Sequence, residues 1–147
     1  MIPRFGEPVK RGQRYSLRPG AYAVLRLGAR VLVTLQDGAP PEFQLPGGGI
    51  DPGESPLRAL HREVYEETGW SIAQPVRIGA FRRFTYMPEY DRWAEKLCTI
   101  YSARPVRRLG PPPEAGHSAV WMPMAQAARL LANEGDRHFL LRAWNRA

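Results

Sequence analysis

The chain has 147 residues, 44% of them hydrophobic, and a formal net charge of +7 from 21 basic and 14 acidic side chains. That length fits one domain with a core of its own, and no apolar run approaches the roughly 20 residues of a membrane span. A lone cysteine, Cys98, excludes an internal disulfide and suits a reducing cytoplasm.

The first 18 residues are read as an irregular, polar segment without the apolar stretch of a secretory signal. Residues 22–27 and 30–35 are apolar, β-rich runs around Gly28-Ala29, which predicts a hairpin. Residues 37–41 read as a loop, and Phe43-Gln44-Leu45 leads into a run of three glycines. Ser55 then Pro56 predicts a helix start, with the hydroxyl as N-cap and proline first in the helix; Gly69 predicts a left-handed end. Residues 76–86, 97–103 and 119–122 read as strands, which makes Cys98 a packing residue. Residues 124–132 read as a helix, and Asp136 is expected to cap a last one carrying Phe139, Leu140, Ala143 and Trp144. Pro111-Pro112-Pro113 reads as a stiff connection rather than a boundary, so residues 1–147 are taken as a single layered α/β domain.

Residues 48–70 carry the chemistry. They run Gly48, five residues, Glu54, seven residues, Arg62-Glu63-Val64, then Glu66-Glu67 and Gly69-Trp70. On a helix, Glu63, Glu66 and Glu67 share an arc of about 100°, while Leu57, Leu60 and Val64 form an adjacent apolar stripe. Clustered carboxylates repel and raise one another's pKa unless cations neutralise them. Hard oxygen ligands at this density suit Mg²⁺ or Mn²⁺, which also bridge to phosphate oxygens. Glu54 arrives from the preceding loop, Arg62 is placed to orient a carboxylate, and the glycine run lets a main-chain carbonyl join the metal shell. The alternative is a surface helix with a solvated glutamate face.

This segment resembles the signature of the Nudix hydrolases at every defining position, with Trp70 bulkier than the aliphatic residue usual there. The resemblance implies an α/β/α sandwich around a mixed sheet, and hydrolysis of a nucleoside diphosphate linked to another group. It implies metal ligation by Glu63, Glu66, Glu67 and the Gly47 carbonyl, with Glu54 and Arg62 completing the catalytic set. A module that binds nucleotides without hydrolysis would be expected to have lost such glutamates, and all four are present.

Residues 81–96 are the expected substrate-recognition segment, in which Phe84, Tyr86, Tyr90 and Trp93 accompany Glu89, Asp91 and Glu95, the acids on a loop at 89–95. A stacked base is worth about 1–3 kcal/mol. Arg82 is the candidate phosphate contact, since only one of Arg82 and Arg83 can face a cleft from a strand. The proton acceptor is expected to be Glu54 or an acid of residues 89–95. In the family a downstream proline accompanies ADP-ribose activity and a tyrosine diadenosine polyphosphate activity; Tyr86, Pro88 and Tyr90 crowd that window, so the marker does not discriminate. A MutT-like (deoxy)nucleoside triphosphate pyrophosphohydrolase is the leading expectation, with ADP-ribose or a dinucleoside polyphosphate next. Nineteen arginines favour anionic partners; they are scattered, which argues against general nucleic-acid binding and leaves an RNA 5′ end open. A homodimer is compatible with the sequence.

Overall fold

A computed structural model describes residues 1–145. Eight strands form one mixed sheet: β1 (Arg4–Phe5), β2 (Ser16–Leu27), β3 (Arg30–Gln36), β4 (Glu42–Gln44), β5 (Gly47–Gly49), β6 (Trp70–Met87), β7 (Arg92–Arg108) and β8 (His117–Pro123). The helices are α1 (Pro56–Thr68), α2 (Met124–Leu130) and α3 (Glu134–Trp144). The strand path is β1-β6-β7-β2-β3-β4, with β5 antiparallel to β2 and β8 antiparallel to β3. Only β1/β6 and β2/β7 are parallel. No helix among the described residues is long and apolar enough to cross a membrane.

Alternation along β2 divides the core. Ala21, Ala23 and Leu25 face α1 and pack with Leu60, Val64, Ile72 and Tyr101. Val24 faces the other way, among Phe81, Ile100, Met122, Phe139 and Leu140 beneath α2 and α3. Helices therefore cover both sheet faces, as the resemblance implied. Each buried Leu or Val side chain contributes about 1.5–3 kcal/mol to this arrangement. Trp70 packs edge-on against Trp121 at 5.6 Å beside the α1 core, which accounts for a large residue after the helix.

Several elements differ from their sequence reading. Residues 89–95, read as a loop, lie largely in strand: β6 and β7 pair from Trp70↔Arg108 to Met87↔Arg92, and only residues 88–91 lie between them. Charged and aromatic residues on both hairpin faces, with bulges between Ser71 and Gly79, hid the alternation. The first 18 residues are less irregular than expected, since Arg4–Phe5 adds to β6 and β2 begins at Ser16. Tyr15 then packs edge-on to Phe84 and Trp93, and the Lys10 ammonium sits 4.1 Å from the Trp93 ring centre. Asp136 does not cap α3. Asn133 does, accepting from the Gly135 amide at 2.8 Å, while Asp136 is buried and accepts from the Leu45 amide at 3.1 Å.

α3 approaches the sheet where it has no side chain to obstruct it. A Cβ on Gly135 would stand 2.4 Å from the Phe81 ring. Gly135→Ala should therefore cost about 1–3 kcal/mol through overpacking. Denaturant unfolding measures this, and a loss below about 0.5 kcal/mol would mean that the ring moves aside freely.

Candidate active site

The site is built by α1 and the strand it presses on. Ser55 Oγ accepts from the Arg58 amide at 3.2 Å, Pro56 opens the helix, and Gly69 closes it at φ 78° with its amide on the Tyr65 carbonyl. The cap positions stand as the sequence predicted. The glycine run is a strand, not simply a turn. In its ladder with β2, the Pro46 carbonyl accepts from Ala23 and the Ile50 amide donates to Pro19. Gly47 and Gly49 thus turn their own amides and carbonyls to the opposite edge, toward α1. The Gly47 amide donates to Glu67 Oε1 at 3.2 Å, and the Gly49 carbonyl accepts from Arg62 at 3.1 Å. A Cβ on Gly48 would lie 2.5 Å from the Glu63 carboxyl, so a larger residue there would displace that carboxyl from the site.

Arg62 ties the acids together. Its Nε and Nη2 each donate to one oxygen of Glu54 at 2.8 Å, and Nη1 reaches Glu63 at 3.0 Å and Glu66 at 3.3 Å. This fork holds the Glu54 carboxyl far down the scale, at about 2. Glu63 moves the opposite way, because burial outweighs its bond to Arg62. Glu67 moves furthest: it is 7% exposed, and burial pushes its pKa up to about 9, aided by the charges of Glu63, Glu114 and Glu66 and opposed by the Gly47 amide.

The acid that joins Glu67 from later in the chain is Glu114, on the β7–β8 connection. The Glu114 amide donates to the Glu66 carbonyl at 3.0 Å, which pins this proline-rich connection to α1. Glu67, Glu114 and His117 offer potential ligand atoms all within 4.8 Å of one another. The expected acids of residues 89–95 are engaged elsewhere: Glu95 pairs with Arg82 at 3.0 Å, Asp91 with the Tyr86 hydroxyl, and Glu89 lies exposed in the hairpin turn. Sequence reasoning missed Glu114 and His117. The stiffness of three prolines before Glu114 was the available signal, since a rigid lead-in presents the next residue at a set place.

On the opposite sheet face, two adjoining cavities of about 80 and 60 Å³ share the side chains of Tyr22 and Lys96. One extends to Arg83, Asn133 and Asp136, and the other to Arg18, Met87 and Gly49. Arg83 lines this space and Arg82 does not, as the strand's alternation requires. Tyr90 lies under the Arg18 guanidinium at 4.7 Å. Tyr86 packs against Trp93 at 5.3 Å.

The burial of Glu67 has a sign that can be measured. Free of metal, the folded chain keeps the Glu67 proton up to about pH 9, whereas the unfolded chain releases it near 4.5. Folding stability therefore falls as pH rises through that window, while Glu54 acts oppositely and loses its contribution only as pH drops from about 4.5 toward 2. Chelator-treated protein should melt lower at pH 9 than at pH 6, and Glu67→Gln should flatten that difference. An unchanged pH slope in the variant would take the proton off Glu67.

The family model described as NUDIX domain matches residues 16–143. An RNA pyrophosphohydrolase of Agrobacterium fabrum is 34% identical over 114 residues, covering 65% of this chain and 65% of that protein. A Bacillus subtilis relative, provisionally named an 8-oxo-dGTP diphosphatase, is 34% identical over 70 residues, 48% of this chain and 47% of its own length. The matches thus span less than two-thirds of these curated relatives. A MutT NUDIX hydrolase from Burkholderia pseudomallei has the same fold, with a TM-score of 0.70 at 19% identity over 85% of this chain and 96% of that one. With the signature helix, its glycine strand and the mixed sheet all in place, the chain belongs to the Nudix family.

Proposed function

We propose that the chain is a divalent-metal-dependent pyrophosphohydrolase that cleaves a phosphoanhydride bond of a nucleoside triphosphate. The observation that carries this reading is the carboxylate set around buried Glu67, which among the described residues pairs with no lysine or arginine beyond the Arg62 fork. The residues fit a divalent ion: their oxygens are hard donors, and Glu67 in particular is an acid whose ionised form needs a positive partner. Glu63, Glu66, Glu67, Glu114 and the outward edge of Gly47 would hold Mg²⁺ or Mn²⁺. Such ions supply charge neutralisation at the phosphoanhydride and an acidified water.

The chain's own groups divide the remaining work. Arg62 keeps Glu54, Glu63 and Glu66 aimed, and Glu54 serves as its anchor. Held near pKa 2, Glu54 is a poor proton acceptor, so that role falls to the Glu63–Glu67–Glu114 set. Arg18 and Lys96 line the smaller cavity without an acid and suit an anionic group there, whereas in the larger one Glu42 and Asp136 offset Arg83 and Lys96. Asn133 spends its side-chain oxygen on the Gly135 amide, which leaves its NH₂ to donate to a base. Tyr90 stands with Arg18 near that space, while Tyr86, Glu89 and Arg82 are committed to the hairpin or exposed upon it. The unpaired thiol of Cys98 is in keeping with a cytoplasmic setting.

A second substrate reading is the 5′ triphosphate of RNA. It is favoured by the Agrobacterium fabrum relative and by the net charge of +7.

Assays of dNTPs, ADP-ribose, a dinucleoside polyphosphate and 5′-triphosphorylated RNA, each with and without Mg²⁺, distinguish these substrates. Hydrolysis should appear only with metal, read as pyrophosphate from the triphosphates and as nucleoside phosphates from ADP-ribose and the dinucleoside polyphosphate, and should be most rapid with a free nucleoside triphosphate. Glu67→Gln should lower kcat at least about a hundredfold with melting retained, and Glu54→Gln should do less harm. Near-normal turnover in Glu67→Gln would remove the metal role from this side chain.

A further inference from the structure

His117 adds a nitrogen donor to the acidic site. It opens β8, paired with Gln36, and its side chain is 8% exposed. Nδ1 lies 3.1 Å from Thr34 Oγ1 and 3.8 Å from Glu67 Oε2, and Nε2 lies 3.4 Å from Glu114 Oε2. Thr34 is itself fully buried beneath the ring. The Thr34 hydroxyl can either donate to Nδ1 or accept from it; when it accepts, Nε2 is left with a lone pair facing the Glu114 carboxylate, the arrangement in which the ring can bind a cation. Two lone pairs at this separation repel unless a cation lies between them. Histidines that ligate metals commonly hand their other N–H to an oxygen acceptor in this way.

The two halves of the site therefore differ in chemistry. Glu63, Glu66 and the Gly47 edge offer oxygen alone, which suits Mg²⁺. Glu67, Glu114 and His117 offer oxygen and imidazole nitrogen, a mixture that favours first-row transition metals. We propose that Glu67, Glu114 and His117 form a distinct subsite selective for a transition-metal dication, with Mn²⁺ as its simplest occupant, beside an all-oxygen subsite for Mg²⁺. The inference rests on the reading that the α1 carboxylates hold divalent ions, and it adds a difference in kind between them. Thr34 is the positioning residue: by accepting from Nδ1 it would hold the ring with Nε2 free for the ion.

Pulsed EPR on the whole protein loaded with Mn²⁺ alone tests this without turnover. Wild type should show nitrogen coupling from a directly bound imidazole. In His117→Gln the coupling should vanish while Mn²⁺ still binds, and competition with Mg²⁺ should show at least about a tenfold loss of Mn²⁺ preference. The chain has three histidines. If His117→Gln does not fold, retention of the coupling in both His61→Gln and His138→Gln assigns it to His117. Bound Mn²⁺ without nitrogen coupling in wild type, or coupling that survives His117→Gln, would overturn the subsite and leave the metal reading standing. A wild-type protein that binds no Mn²⁺ would bring down both.

Discussion

Glu67 is buried against Glu63, Glu66 and Glu114, accepts a hydrogen bond from the Gly47 amide, and among the described residues pairs with no lysine or arginine. Free of metal, Glu67 keeps its proton; once ionised it adds its charge to those of Glu63, Glu66 and Glu114 and is held against their repulsion. Three features hold it. The α1 core of Leu60 and Val64 anchors the helix, the glycines of β5 let the strand pass beneath the carboxyls, and the Arg62 fork keeps three of the acids aimed. Each would be poorly justified without a cation to receive.

The glycine strand links fold to chemistry. β2 is shared along its length, with β5 at Gly20–Tyr22 and β3 at Leu25–Leu27 on one edge and β7 on the other. That division places the outward peptide groups of Gly47 and Gly49 beside Glu67 and Arg62, in the last and middle turns of α1. It also leaves Tyr22 on the far face, at the join of the two cavities. The β5–β2 ladder therefore borders both the acidic cluster and the two cavities on the far face.

Much of this was legible in the sequence, for local reasons. Ser55, Pro56 and Gly69 state their helix through caps that depend on few neighbours, and the spacing of Glu63, Glu66 and Glu67 gives one face by geometry alone. What the sequence did not reveal depends on contacts far apart in the chain. Glu114 belongs to the site because its amide bonds to Glu66, and His117 because β8 pairs with β3 beside Thr34. Three glycines carry no pattern of side chains, so β5 was invisible as a strand. The hairpin of β6 and β7 was obscured because its tip is wrapped by the N-terminal segment, which makes outward-facing aromatics useful for packing. Asp136 looked like a cap for want of knowing that Leu45 needed an acceptor.

Crystals soaked in Mn²⁺ and measured for anomalous scattering would locate the divalent cations that we propose lie between the α1 carboxylates and Glu114. Strong peaks should appear among Glu63, Glu66, Glu67 and Glu114, with Arg62 still gripping Glu54. A well-ordered α1 with those side chains unchanged and no peak between them would contradict this placement.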